Sequence, residues 1–411
     1  MSANPSRCCR RAPALRRRIS MLPLLLLCIA GCVCAQATAV VEPGNQAEEV
    51  QPEQIDVFRA GEDGYHTFRI PAIVRTANGD LLAFAEGRVD GGGDSGDIDT
   101  VMKRSTDGGA TWGELQRVAD FGAGCVGNPT PVVDAASGDI VLLGVLQPEG
   151  SHEGDIRNDR GGYRDPCVMR SADHGQTWSE PVSLFESCDR EDWRWYATGP
   201  CHGIQLQRGA HAGRLVVPAN FSVVGSGGND RLGAHALYSD DAGRTWQIGA
   251  VDDSHVGNNE LNPNESTVVE LADGRLMFNC RDQGGTSRAT RAVTFSDDGG
   301  ETFTGPYAAE EGLIGPVCQA ALLGVETDAG RLIVYSGPGV WDSRSRMHLR
   351  YTPDAGATWH DGPVLHPGSA AYSDLVQVDD DTLGCLFEAD GYSRIVFSSV
   401  SIQALLNSSD E

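Results

Sequence analysis

Short runs of β-branched and apolar residues recur in pairs along this chain, each pair folded about a turn rich in glycine or aspartate. Six pairs are legible: 71–88 with its turn at Ala77-Asn78-Gly79-Asp80, 131–146 at Ser137-Gly138-Asp139, and 204–220 at Ala212-Gly213-Arg214. The other three are 267–281 at Asp273-Gly274-Arg275, 320–336 at Ala329-Gly330-Arg331, and 374–388 at Asp379 to Asp381. Turn chemistry of this kind between β-rich runs predicts hairpins. A second pattern is interleaved. Ser105-Thr-Asp-Gly-Gly-Ala-Thr-Trp112 returns as Ser171–Trp178, Ser239–Trp246, Ser296–Phe303 and Thr352–Trp359, with starts 66, 68, 57 and 56 residues apart. All five read S/T-x-D-x-G-x-T-W/F.

Within each repeat the aspartate can accept from the turn's backbone N–H groups, the glycine permits a positive φ, and the aromatic ring anchors the turn in an apolar layer. That role is structural, so these carboxylates are not candidates for chemistry. Six hairpins alternating with such turns give roughly four strands per unit, the content of a propeller blade. The expectation is an all-β fold, a six-bladed β-propeller forming a single domain over residues 55–411. The last unit lacks its repeat after Ile395 to Val400, and Ile55 to Arg59 is placed to supply the missing strand and close the ring. Residues 38–54 read as a polar linker.

Composition narrows the partners. The formal charge is −25; the first 37 residues hold six arginines and no acid, which leaves −31 on the remainder. Such a surface repels nucleic acid and anionic membranes, so no nucleic-acid partner is expected. An anionic substrate would need positive charge gathered locally against this background. Arg10, Arg11 and Arg16 to Arg18 precede an apolar run, Met21 to Ala30, too short to span a bilayer. Residues 1–37 thus read as an export signal. Two cleavage readings stand: Ile29-Ala30-Gly31-Cys32 resembles a bacterial lipobox, which would tether the protein to a membrane through a lipidated Cys32, and Ala35-Gln36-Ala37 suits ordinary signal peptidase. Of 12 cysteines, the seven from Cys125 to Cys385 show no C-x-x-C spacing, so no zinc site is expected. Export permits disulfides, and Cys188 with Cys201 is the one candidate pair; buried free thiols are the alternative.

Antiparallel geometry places the hairpin turns and the repeat turns on one face of the disc. Residues that begin or end the first hairpin of each unit then lie on the other. Arg69 begins the first hairpin, and Glu86, Arg88 and Asp94 follow its end. Asn128 precedes the second; Glu265 begins the fourth and Arg281 leaves it; Arg344 follows the fifth; Tyr372 begins the sixth and Glu388 ends it. These arginines, a tyrosine and several carboxylates should therefore meet near the central axis.

The ordered set resembles a known family. Tyr65-His66-Thr67-Phe68-Arg69-Ile70-Pro71 contains the F/Y-R-I-P motif of the sialidases of glycoside hydrolase family 33, and the repeats resemble their Asp-boxes. Asn264-Glu265-Ser266, the Asn-Cys-Arg-Asp segment at 279–282, and Ala371-Tyr372-Ser373 continue the match, which runs from residue 55 to 400. The resemblance implies an exo-α-sialidase acting on sialylated glycans, glycoproteins or glycolipids by a retaining mechanism. It assigns Arg69, Arg281 and Arg344 to the sugar carboxylate, with Arg346 and Arg350 close to the third. Glu388 would hold Arg69 in place, and Arg88 would meet a sugar hydroxyl. Tyr372 would be the nucleophile, Glu265 its activating base and Asp94 the acid/base. Asn128 sits where some relatives carry Asp, and Trp193, Trp195 and Tyr196 would lie on a loop of the same face.

The chemistry is coherent with these residue types. Guanidinium groups bind carboxylates bidentately and stay charged at any working pH. A neutral phenol can approach an anomeric centre that already bears a carboxylate, where a glutamate would be repelled; sialidases are an exception to the usual carboxylate pair. A free tyrosine with pKa about 10 needs an adjacent base. Among Asp90, Asp94, Asp97 and Asp99, Asp94 lies 25 residues past Arg69 and six past Arg88, as the family spacing asks. No metal or organic cofactor is expected. Trans-sialidase or intramolecular trans-sialidase activity stays open, as does a non-catalytic sialoglycan-binding propeller.

Overall fold

In the computed structural model the described residues are 52–224, 230–254, 261–285, 290–328 and 330–408. The leader, Cys32 and most of the linker lie outside them. The architecture is all-β: among the described residues there are 24 strands in four sheets and only short helical turns. Strand Thr67–Arg75 pairs antiparallel with Leu81–Arg88, that with Ile98–Ser105, and that with the short Gln116–Ala119. The same order repeats through Cys125–Val133, Ile140–Gln147, Asp165–Ser171 and Val182–Ser183. It repeats again from Pro263–Glu270 through Leu276–Asp282 and Arg291–Ser296 to Ala308–Ala309.

Toward the C-terminus, Ala321–Thr327, Gly330–Val340 and Ser343–Thr352 lead into the 18-residue strand His360–Gln377. Its first half pairs with Ser343–Thr352 and its second half with Thr382–Ala389, so one strand serves two neighbouring groups. The pairing shifts register around Pro367-Gly368, where proline has no N–H to give the ladder. Gln54–Arg59 pairs with Arg394–Ser401, at the far end of the sequence. First strands pack side by side: Thr67–Arg75 touches both Cys125–Val133 and His360–Gln377, and Ala321–Thr327 touches both Pro263–Glu270 and His360–Gln377.

One hairpin differs from expectation. The run 204–220 contributes only Ile204–Gln205 to a short pairing with Leu215–Val216, and the full inner partner of Leu215–Val224 is Trp193–Thr198. Burial decides this: Trp193 stacks on Phe221 at 4.0 Å and Tyr196 donates to or accepts from His235 at 2.8 Å. The segment read as a loop is therefore a strand. The Cys188–Cys201 pairing is also corrected. Both are buried free thiols in different apolar clusters, Cys188 with Val168 and Leu184, Cys201 with Leu349 and Leu375.

The five repeat turns share one hydrogen-bond scheme. In the first, Ser105 Oγ accepts from Gly109 N at 2.8 Å, and Asp107 Oδ1 accepts from Thr111 N at 2.9 Å. The last repeats it through Thr352 Oγ1 and Asp354 Oδ1. The Thr111 and Thr358 hydroxyls, with the amides of the same threonines and the Ser105 and Thr352 hydroxyls, pull the Asp107 and Asp354 carboxyls down to about 2. Gly109 sits at φ +94, and a Cβ there would overlap the Phe397 ring. The turns share a face with the hairpin turns, since Arg104 bridges Asp80 and the carbonyl of His174. The functional candidates lie at the other ends of these strands.

Candidate active site

Regular strands cannot aim side chains at a common centre, because successive residues alternate between faces. The inner strands break their registers where the candidates stand. Shifts fall between Arg69 and Ala72, Gly127 and Thr130, Trp193 and Tyr196, Pro263 and Ser266, and Ala370 and Ser373. Such bulges turn a strand locally and re-aim the residue they contain. Ile70 and Asn128, each followed by proline, adopt φ of +59 and +54. A β-branched residue there is strained, and an acceptor on its amide holds it. For Ile70 the acceptor is Glu388 Oε1 at 2.9 Å; for Asn128 it is Glu86 Oε1 at 2.8 Å.

The result is a cavity of about 250 Å³ lined by Arg69, Arg88, Asp94, Asn128, Glu265, Arg281, Arg344 and Tyr372 among others. Eight of the nine site residues named from the sequence line it. The ninth, Glu388, is 1% exposed and sits behind, accepting from Arg69 Nε at 2.6 Å.

Tyr372 stands at the convergence. Its Oη donates to Glu265 Oε1 at 2.5 Å and accepts from Arg281 Nη1 at 3.0 Å. The same Arg281 nitrogen lies 2.6 Å from Glu265 Oε2. Arg69 and Arg344 flank the ring, their Cζ atoms 5.2 and 5.5 Å from its centroid. Arg344 is fixed by Val317 O at 2.9 Å and Tyr392 Oη at 3.2 Å. Burial pushes the Tyr372 hydroxyl well above its usual range, the Glu265 charge adds to this, and Arg281 opposes it. The phenol is therefore un-ionised in the free protein, with its proton already directed at a carboxylate.

Across the cavity Asp94 lies on the glycine-rich loop 89–97, its side chain 70% exposed and its Oδ1 2.8 Å from Arg88 Nη1. Desolvation raises the Asp94 pKa, but Arg88, with Arg69 and Arg164 beyond it, outweighs this and holds the carboxyl below its ordinary range. Asn128 has its side-chain oxygen occupied by Arg164 Nη2 at 3.0 Å. Of the three aromatic residues, Trp195 alone lines the cavity, with the Arg164 guanidinium 3.9 Å from its ring centroid.

Sequence reasoning missed Arg164, Gln283, Asn220 and Asn264, which line the cavity too. Arg164 precedes Asp165–Ser171, the third strand of its group, and reaches the centre only through its long side chain, a placement no turn pattern reveals. Asn220 and Asn264 carried a cue, since both are polar residues within strands. Chemically, the arrangement offers guanidinium groups to a planar anion, a phenol that can pass its proton to Glu265, and a rim carboxylate that can exchange a proton.

A family model described as a BNR repeat-like domain matches residues 79–385. The chain is 34% identical to a sialidase of Micromonospora viridifaciens, over 94% of this chain and 60% of that protein. It is 31% identical to an exo-alpha-sialidase of Aspergillus fumigatus, over 84% of this chain and 86% of the relative. Among solved structures, the Hadza microbial sialidase Hz136 superposes with a TM-score of 0.74 at 28% identity, covering 86% of this chain and 69% of that one.

Proposed function

The chain belongs to the sialidase family of glycoside hydrolases, and on that premise we propose that it is an exo-α-sialidase removing terminal sialic acid from glycoconjugates with retention of configuration. The observation that carries this is the Tyr372 hydroxyl held between Glu265 and Arg281, at 2.5 and 3.0 Å, in a cavity shared with Arg69 and Arg344. The three guanidinium groups dock the sugar carboxylate. Asp94 gives its proton to the glycosidic oxygen as that C–O bond breaks, and Tyr372 Oη bonds to the anomeric carbon while its proton passes to Glu265. Water then attacks the same carbon, losing a proton to Asp94, and the phenoxide leaves and recovers its proton from Glu265. Arg88 meets a ring hydroxyl.

The frame behind this site is a six-bladed propeller over 55–411, closed by the pairing of Gln54–Arg59 with the last strand; the contacts of first strand with first strand support it. The protein is exported by residues 1–37, with Cys32 lipidated where the lipobox is used; a Cys32→Ala variant that still labels with palmitate would refute that tether.

The decisive experiment incubates the protein with 2,3-difluorosialic acid, whose anomeric fluoride leaves, and maps the adduct by peptide mass spectrometry. The adduct should sit on Tyr372, and proton NMR of a natural substrate should show the α-anomer released first. An adduct elsewhere, or β-anomer as first product, overturns the mechanism. Transfer to an added alcohol in preference to water would move the assignment from hydrolysis to trans-sialylation.

A further inference from the structure

Glu86 takes no part in the chemistry above, yet its carboxylate is fully committed on the side of the cavity that carries Asp94. It is 3% exposed. Its Oε2 accepts from Arg88 Nη2 at 2.6 Å and Nε at 3.1 Å, and its Oε1 accepts from the positive-φ Asn128 N at 2.8 Å. Arg88 is 2% exposed and spends its remaining nitrogen outward. Nη1 donates to Gly92 O at 2.7 Å and Gly93 O at 2.9 Å, and pairs with Asp94 Oδ1 at 2.8 Å.

Beyond Arg88 few contacts order the loop so held; one is Ser95 Oγ, 3.0 Å from His152 Nδ1. Gly91, Gly92 and Gly93 are consecutive, and none would bring a Cβ within 4 Å of another group. One backbone bond, Val89 N to Asp97 O at 3.0 Å, closes the loop. A triple-glycine segment gives up more backbone entropy on ordering than any other composition. The Asp94 side chain is 70% exposed, so packing does not fix it either. Its place is set by Arg88, and the place of Arg88 by Glu86. The room behind Glu86 is equally tight: a Cβ on Gly127 would stand 2.5 Å from Glu86 Oε1.

We infer that Glu86 is a positioning residue for the proton-transfer step, holding Arg88 so that loop 89–97 presents Asp94 to the glycosidic oxygen. This rests on the exo-sialidase reading. A residue that acts through a general acid matters most where the leaving group is poor, since an activated aryl leaving group departs without a proton.

The test compares kcat/KM on an aryl sialoside with an activated phenol and on 3′-sialyllactose, for wild type, Glu86→Gln, Asp94→Ala and the double variant. General acid catalysis contributes on the order of 10²–10⁴-fold. Glu86→Gln should cost about 10-fold on the aryl substrate and about 10³-fold on the lactoside, so the aryl-to-lactoside ratio rises on the order of 10²-fold. In the Asp94→Ala background the same change should leave that ratio where Asp94→Ala alone puts it. Equal loss on both substrates, or a full additional ratio change in the double variant, overturns the inference while leaving the sialidase reading intact. Wild type inert on both substrates overturns both. Gly127→Ala keeps Glu86 and Arg88 but displaces the carboxylate, and it should raise the ratio in the same direction if Glu86→Gln does not fold; no change in ratio for a folded Gly127→Ala refutes the inference.

Discussion

Replacing Arg281 with alanine probes the centre of the site. The guanidinium lies 2.6 Å from Glu265 Oε2 and donates to Tyr372 Oη at 3.0 Å, and both partners of the ion pair expose 11% of their side chains. Without it, Glu265 keeps the phenol on Oε1, and Oε2 loses its charged partner. Breaking a buried pair from one side costs about 3–5 kcal/mol. The cavity opens to water, so the lower bound applies, about 3 kcal/mol. At about 2 °C per kcal/mol for a chain of this size, the melting temperature should fall by about 6 °C.

The companion variant Arg281→Met/Glu265→Gln removes both charges and should recover most of that fall without recovering turnover. Binding answers separately: a carboxylate-bearing sialic acid glycal loses one charge-assisted contact, about 1.5–3 kcal/mol, or about 10- to 150-fold in Kd by calorimetry. An Arg281→Ala protein that melts within a degree of wild type, with a double variant no better than the single, would show that this pair is not desolvated and the coupling argued here is wrong.

Tyr372→Phe removes the oxygen proposed as the nucleophile and leaves the arginines in place; kcat should drop at least about 10³-fold, about 4 kcal/mol of barrier, while the glycal's Kd stays within a few-fold. Asp94 is held below its ordinary range chiefly because Arg88 outweighs its desolvation, so the proton it must give is scarce at neutral pH. The kcat/KM profile should therefore fall as pH rises out of the acid range, and Arg88→Gln should move that limb to higher pH; an unmoved limb counts against Asp94 as the acid. Asp354 has its pKa drawn down to about 2 by Thr358, Thr352 and its turn amide, so its contribution to stability is present above the ordinary carboxylate range and fades as pH falls toward 2. Asp354→Asn should melt below wild type at pH 7, with the gap closing toward pH 2 and kcat/KM unaffected. Gly109→Ala forces both a φ of +94 and a clash with Phe397, and should cost about 1–3 kcal/mol in chemical denaturation.

Most of the frame could be read from local chemistry because the repeats are local devices. A serine, an aspartate and a glycine satisfy one another within five residues, as Ser105, Asp107 and Gly109 do, and nothing distant is needed to make that turn. The third hairpin misled for the opposite reason. Ala212-Gly213-Arg214 is a turn, but what pairs with Leu215–Val224 is settled by Trp193 stacking on Phe221, a contact across 28 residues that turn chemistry does not encode. The continuous strand His360–Gln377 hid behind Pro363, Pro367 and Gly368, which read as breaks and are absorbed as irregularities. Arg164 and Gln283 escaped because each borders the cavity by side-chain reach alone.

The prolines give a more general reason why the site's residues could be found at all. Pro71 and Pro129 each fall inside a register shift of an inner strand, next to Ile70 and Asn128, and Pro263 stands at the edge of another, next to Asn264. Proline withholds the N–H that a ladder requires and so favours a bulge, although Pro131 and Pro218 sit in unbroken register. A bulge is what the cavity needs, where side chains from separate strands have to turn inward together. The amides freed or strained by that turn must then find buried acceptors, and Glu388 and Glu86 provide them for Ile70 and Asn128. Each of those carboxylates also grips an arginine: Glu388 holds Arg69 from a neighbouring sheet, and Glu86 holds Arg88 two residues along its own strand. Backbone strain and guanidinium placement are thus settled by the same two groups. A charge-neutral substitution at either, Glu388→Gln or Glu86→Gln, should disturb its arginine more than its bulge, because the amide oxygen still accepts from the backbone. Amide exchange at Ile70 and Asn128 that stays slow in these variants, alongside altered kinetics, is the outcome this requires; fast exchange at both would mean the bulges depend on the negative charge itself.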